Sequence, residues 1–326
     1  MSTIAKRMSI ASLTLLTVIA LTSILFDGVN RVTAQRWARN IAERYDVDYE
    51  MAYREALAWL GVEKTLAQGY RESLRDLSKG DLGESQFYGE PVSDLILRAL
   101  PWTAFVLSVS MMLSFFTGVS LGTMMAWKRR SFIYPLVTIY ASITGATPDW
   151  IIGLILLVIL AINLKLFPIA GAYDTSLAIG FNWPFIKSAL HHATLPVLAF
   201  TFEATGTWAL AMKGSAMSTI GEDYLMAARA RGLKERRIMT AYVGRNALLP
   251  LVTRLAIRLG KMLGITTIIE SVFSYPGIGL LFGKALEEGD YVVMKGVFLL
   301  IAAVVILANL VVDVLYPRLD PRTKIS

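Results

Sequence analysis

The sequence predicts an all-α membrane protein with six transmembrane helices and a helical insertion between the first two. Three observations carry that prediction. Of 326 residues, 55% are hydrophobic and only 17% are charged, whereas a soluble domain has roughly a quarter of its residues charged. Apolar runs of bilayer-spanning length recur along the chain. The net charge of +7 collects in a few connections between those runs, as expected of cytoplasmic loops. The excess therefore calls for a lipid bilayer and no nucleic-acid partner. The absence of cysteine excludes disulfides, zinc–thiolate sites, iron–sulfur clusters and thiol catalysis.

The first run, residues 8–26, follows Lys6 and Arg7 and is as long as a spanning helix, with no small-x-small cleavage pattern after it. It reads as a retained signal anchor rather than a cleaved signal peptide, so residues 1–26 form an N-terminal transmembrane helix. Residues 27–99 are slightly acidic and carry an amphipathic pattern over 33–60, with Trp37, Ile41, Tyr45, Ala52 and Leu60 broadly on one side. A second helix is expected over 63–77, ended by Lys79-Gly80-Asp81. This region reads as a small ordered helical domain on the extracytoplasmic face.

The next span, 100–127, holds Gly118 and Gly122 at the spacing of a helix-contact face. Residues 133–164 carry Pro148 half-way, which allows one kinked helix or two. Charge decides. Lys128, Arg129 and Arg130 mark one cytoplasmic end and the basic stretch 213–245 marks another, so an even number of crossings joins them. With 195–212 as one crossing, 133–164 is a single kinked helix. Spans 251–273 and 292–315 complete a five-helix core over 100–315. Both termini then lie in the cytoplasm of a cell-membrane protein, in agreement with Arg318, Arg322 and Lys324 in the tail, 316–326.

Few motifs carry chemistry. His191 and His192, in the outer connection 165–194, are adjacent and do not converge on one metal, so a structural or surface role is expected and no metal site. Residues 277–285 resemble a phosphate loop only superficially. Three residues rather than four separate Gly279 from Gly283, and Ala285 lacks the hydroxyl that holds magnesium. No cofactor is expected in this chain.

Charges inside spans are costly and therefore informative. Glu203 lies within 195–212 and suits a cavity or a helix–helix pair. Glu270 lies near the outer end of 251–273. Arg254, Arg258 and Lys261 share one face of that span's inner half. Arg254 reads as snorkelling to the surface, whereas Arg258 and Lys261 suit either snorkelling or a water-filled cavity. Glu203, Arg258, Lys261 and Glu270 are the cavity candidates.

The strongest signal is the cytoplasmic loop 213–250. It is longer than two helices need for their connection, and basic. Glu222 and Asp223 suit a helix N-terminus, Ala227 and Ala228 give a small-residue patch, and Gly232 ends the helix. A short amphipathic helix of this kind fits a groove on a partner.

These residues resemble one permease subunit, the B type, of peptide-type ABC importers, the dipeptide/oligopeptide/nickel permease family. The anchors run from about residue 80 to the C-terminus. They include Gly80-Asp81-Leu82-Gly83-Glu84-Ser85, Pro91-Val92, Leu100-Pro101, Phe167-Pro168 and Leu195-Pro196. The most specific is Asp223-Tyr224 through Ala227-Ala228-Arg229-Ala230-Arg231-Gly232-Leu233 to Leu249-Pro250. Glu270 through Gly279, Asp290-Tyr291, Asn309 through Asp313 and Asp320-Pro321-Arg322 follow. The resemblance implies the type I ABC importer permease fold. It also implies that Asp223, Ala227, Ala228, Arg229, Arg231, Gly232 and Leu233 couple the chain to an ATPase subunit.

The resemblance implies partners as well: a second homologous permease, two ABC ATPase subunits that bind ATP and magnesium, and an extracytoplasmic substrate-binding protein. The implied cargo is di- or oligopeptides, with oligosaccharides or nickel as the alternative within the family. Three departures from the family pattern stand out: Met226 in place of the glutamate of the general Glu-Ala-Ala motif, the Arg254/Arg258/Lys261 face, and Glu203. An intramembrane enzyme would need paired aspartates, a His-Glu-x-x-His helix or a Ser/His pair within the spans, and the sequence has none. A receptor or scaffold would not need the Ala-Ala-Gly loop followed by Leu-Pro.

Overall fold

The structure, a computed structural model, describes residues 3–60, 66–128, 131–262 and 266–319. It falls into two compact units, one of Met1–Arg98 with Leu281–Leu310, the other of Ala99–Leu280 with Val311–Ser326.

In the first unit, α1 runs unbroken over Thr3–Tyr45, so the chain passes residue 26 without a break. The helix expected over 33–60 is interrupted. Asp46 takes a left-handed φ of 53°, and Asp48 caps α2 (Tyr49–Trp59) by accepting from the Met51 N–H at 3.1 Å. α2 folds back on α1 through a small core of Ala34, Ala56 and Leu60, with Tyr53, Leu57 and Tyr291 against it. Trp37 and Trp59 sit 5.5 Å apart, centre to centre. α3 covers Leu66–Ser78 and also packs on α1.

Asp290 ties this unit together. One carboxylate oxygen caps α13 (Tyr291–Leu319) through the Val293 N–H at 3.1 Å. The other accepts from the Ser85 hydroxyl at 2.5 Å and the Phe87 N–H at 3.2 Å. The Gly80–Ser85 and Asp290-Tyr291 anchors, distant in sequence, thus meet on one carboxylate. Burial, with the charges of Asp290 and Glu288, raises the pKa of the neighbouring Tyr88 phenol.

The second unit contains most of α4 (Val92–Trp127), then α5 (Ile133–Ala146) and α6 (Asp149–Leu156), which continues as a π-helical stretch over Leu157–Asn163. α7 spans Trp183–Ile220, and its N-terminus is capped by Asn182 through the Phe185 N–H at 2.9 Å. His191 and His192 therefore lie inside α7, not in a connection. The His191 ring pairs with the Leu166 carbonyl at 2.9 Å and that of His192 with the Ser188 carbonyl at 2.8 Å. In the connection before α7, the backbone N–H and then the hydroxyl of Ser176 hold the Asp174 carboxyl below its usual pKa range.

Gly118 and Gly122 pack against α7. A Cβ on Gly118 would meet the Trp208 side chain and the Thr205 carbonyl, and one on Gly122 would meet the Ala209 carbonyl and Met212. The expected helix-contact face is present and its partner is α7.

Among the described residues, four helices are long and apolar enough to cross a membrane: Lys6–Tyr45, Val92–Trp127, Trp183–Ile220 and Tyr291–Val311. α5 and α6 with its π-helical extension make a fifth crossing if taken together, but they are bent by 104°. A single kinked helix is therefore not what forms over 133–164. Pro148 has no N–H to donate and pushes its predecessor out of the α region. Thr147 is accordingly extended (φ −101°, ψ 122°), and the helix stops and restarts. The expected span 251–273 falls on α10 (Arg245–Met262) and α11 (Thr267–Val272), with 263–265 outside the described residues. α10 carries Arg245, Arg254, Arg258 and Lys261, and it does not qualify by composition.

Candidate functional site

Between α7 and α10 the chain forms α8 (Asp223–Ala230), then a single turn, α9 (Glu235–Arg237), that passes into a π-helical segment over Ile238–Gly244. Asp223 stands in the first turn, where the helix dipole favours a carboxylate. The C-terminus closes in a Schellman motif: the Gly232 N–H donates to the Arg229 carbonyl at 2.9 Å and the Leu233 N–H to that of Ala228 at 3.3 Å. Gly232 has a φ of +72°, a conformation that costs little only for glycine.

Successive helical residues point about 100° apart, and this divides the small-residue patch. Leu225 and Ala228 are buried where α8 packs on the π-helical segment. Asp223, Tyr224, Met226, Ala227, Arg229 and Arg231 are exposed, with Leu233 intermediate. Met226, at 63% exposure, leaves an apolar side chain in the open face. Arg229 pairs with Glu235 at 2.8 Å across the turn, and Asn246 donates to the Tyr224 hydroxyl at 2.9 Å. The Ser215 hydroxyl binds the Ala247 carbonyl at 2.8 Å and joins the end of α7 to the start of α10.

A second constellation gathers inside the helices. Arg258 on α10 donates to Glu203 on α7 at 2.6 Å, and its guanidinium lies 5.8 Å from the centre of the Trp208 ring. Asp149, at the α5–α6 bend, is within electrostatic reach of both partners. Two expected cavity residues thus pair with each other, and Asp149 joins them. Pro148-Asp149, an acidic residue after a helix breaker in an apolar run, was the signal for it. Lys261's side chain lies outside the described residues, and Arg254 is exposed.

Glu270 is elsewhere and closed off, at 1% exposure. It accepts from the Thr103 hydroxyl at 2.7 Å, the Gly279 N–H at 2.7 Å and the Leu280 N–H at 3.2 Å. Thr103 in turn accepts from the Ile278 N–H at 2.8 Å. Together they satisfy the first turn of α12 (Ile278–Glu288). Two of the glycines that imitate a phosphate loop, Gly277 and Gly279, serve this cap. A Cβ at Gly277 would strike the Glu270 carboxylate, and one at Gly279 the backbone of Thr266 and Thr267. Thr103 was not singled out by the sequence, since its partners lie far along the chain.

A short helix with one buried and one exposed face thus stands between α7 and α10. The family model of binding-protein-dependent transport system inner membrane components matches residues 118–325. The chain belongs to this family. The oligopeptide transport system permease protein AppB of Bacillus subtilis is 31% identical over 281 residues, covering 86% of this chain and 83% of AppB. The di/tripeptide transport system permease protein DppB of Pseudomonas aeruginosa is 32% identical over 293 residues, 85% and 86% of the two chains. The dipeptide permease protein DppB of Escherichia coli K12 is 30% identical, covering 83% and 85%.

The fold is similar to that of a chain from the MetNI methionine ABC transporter, solved in inward facing conformations. The TM-score is 0.56 at 18% identity, over 69% of this chain and 96% of that one. The protein is thus a permease subunit of a binding-protein-dependent ABC importer and a multi-pass inner-membrane component with the type I permease fold. Among the described residues no group of three or more potential metal ligands comes together.

Proposed function

We propose that this permease imports di- and oligopeptides, and that α8 is the helix through which ATP hydrolysis in partner subunits drives it. The reading gives it a second permease to complete the pathway, two ATPase subunits carrying ATP and magnesium, and an extracytoplasmic binding protein that delivers cargo. The single observation that carries the coupling role is the shape of α8. It is a short helix closed by Gly232, anchored by Leu225 and Ala228, and it presents Asp223, Ala227, Arg229 and Arg231 outward. The named roles of AppB and the two DppB proteins support the peptide cargo. Residues 27–99 are assigned to the outer face and both termini to the cytoplasm.

The test is uptake by the whole importer in proteoliposomes, with radiolabelled dipeptide, oligosaccharide and nickel offered separately. ATP-dependent accumulation of the dipeptide is expected. Accumulation of either alternative without the dipeptide overturns the cargo.

A further inference from the structure

Charge inside the helices of the second unit is concentrated where one of them is broken. α5 and α6 meet at a 104° bend, and Asp149 opens α6 just after it. α7 contributes Glu203 and α10 contributes Arg258, joined at 2.6 Å. Tyr140 on α5 donates to the Phe202 carbonyl at 2.6 Å and lies within reach of the Glu203 charge. α6 lies against α7 here: a Cβ on Gly153, one turn after Asp149, would meet the side chain of Ala199, one turn before Glu203. Four helices therefore bring two carboxylates and one guanidinium together.

A structural ion pair needs only one of those carboxylates. Asp149 is the surplus: it accepts from the Trp150 N–H at 2.8 Å and forms no ion pair among the described residues. An ionised carboxylate at membrane depth costs a few kcal/mol or more unless it meets water or a counter-charge. The pair stays accessible, at 26% and 27% side-chain exposure. Gly145, Ala146 and Pro148 at the bend are exposed as well. Non-helical backbone in a bilayer is tolerated only where protein covers it or where it lines a water-filled cavity. Secondary transporters hold charged groups of their cargo at discontinuous helices near the midplane.

We propose that Asp149, beside the Arg258–Glu203 pair, reads the charge of the cargo and receives a cationic group. That group is an ammonium terminus or a lysine or arginine side chain. Arg258 holds Glu203 and thereby leaves Asp149 as the free acceptor. This deepens the peptide-import reading and rests on it.

The test uses the whole importer in proteoliposomes with three alanine tripeptides carrying one lysine, no charged side chain, or one aspartate. The quantity read is uptake of the lysine peptide relative to the neutral one. Asp149→Asn is expected to lower that ratio about ten-fold, equivalent to ~1.4 kcal/mol. Asp149→Glu should keep it, and Arg258→Gln should raise it. An unchanged ratio in Asp149→Asn, with neutral peptide still carried, overturns the proposal. If Asp149→Asn does not reach the membrane, Arg258→Gln decides, and a ratio at or below wild type there overturns it. Failure of the wild-type importer to carry any peptide refutes the cargo instead, and this proposal falls with it.

Discussion

Gly232 holds the left-handed conformation that ends α8 (φ +72°), and open space surrounds its Cβ position. A Cβ there meets no neighbour, yet a valine's backbone pays about 1–2 kcal/mol for that conformation, enough to loosen a two-bond cap. Gly232→Val is expected to insert normally and to uncouple ATP hydrolysis from transport. ATPase rate and peptide uptake measured on the same vesicles check this, and wild-type uptake would remove the docking role. Glu270 is a different kind of residue, consumed by the fold. Glu270→Ala leaves the buried Gly279 N–H and the part-buried Leu280 N–H without an acceptor, at about 1–3 kcal/mol for the buried one. Thermal unfolding in detergent should show a large loss of stability, whereas a cavity role would alter selectivity at unchanged Tm. The sequence made Glu270 conspicuous as a charge in an apolar run. Hydropathy carries no information on what its oxygens accept, because Thr103 is supplied from another helix.

Helix contacts were legible wherever a local pattern sufficed. Gly118 and Gly122 announced a contact face, and the structure supplies α7 as the helix that needs it. Gly122→Leu overpacks that contact, and such insertions cost roughly 1–3 kcal/mol or more. Gly145→Leu, on an exposed stretch of α5 with nothing within 4 Å of its Cβ, should leave the unfolding temperature nearly unchanged. Leucine is the better helix former, so equal losses in the two variants would remove the α4–α7 contact as the cause. The angle at Pro148 was less legible. Counting crossings between basic loops fixes parity but contains no angle, so a kink and a 104° break predict the same charges. The inward and outward faces of α8 were hidden for a related reason. Ala227 and Ala228 look alike in sequence, and only the π-helical segment beneath decides that Ala228 is covered.

For the whole molecule, hydropathy places residues 292–315 with the core from 100 onward, whereas the structure groups Leu281–Leu310 with Met1–Arg98. Polar bonds join the two segments: Asp290 holds Ser85 and Phe87, and Thr33 meets the Tyr291 hydroxyl at 2.9 Å. Such bonds leave no trace in a hydropathy profile. Sidedness can be read directly, since the chain has no cysteine and single substitutions report without background. Trp59 and Met226 are 61% and 63% exposed and suit a membrane-impermeant thiol reagent, and Ser326, the last residue of the sequence, reports on the tail. Six crossings predict labelling of Trp59→Cys in intact cells, and of Met226→Cys and Ser326→Cys only after permeabilisation. The two inner positions separate the possible errors. If the bent α5–α6 pair re-enters without crossing, α8 moves outside and Met226→Cys is labelled in intact cells. If instead 251–273 does not cross, Met226→Cys stays protected while Ser326→Cys becomes accessible.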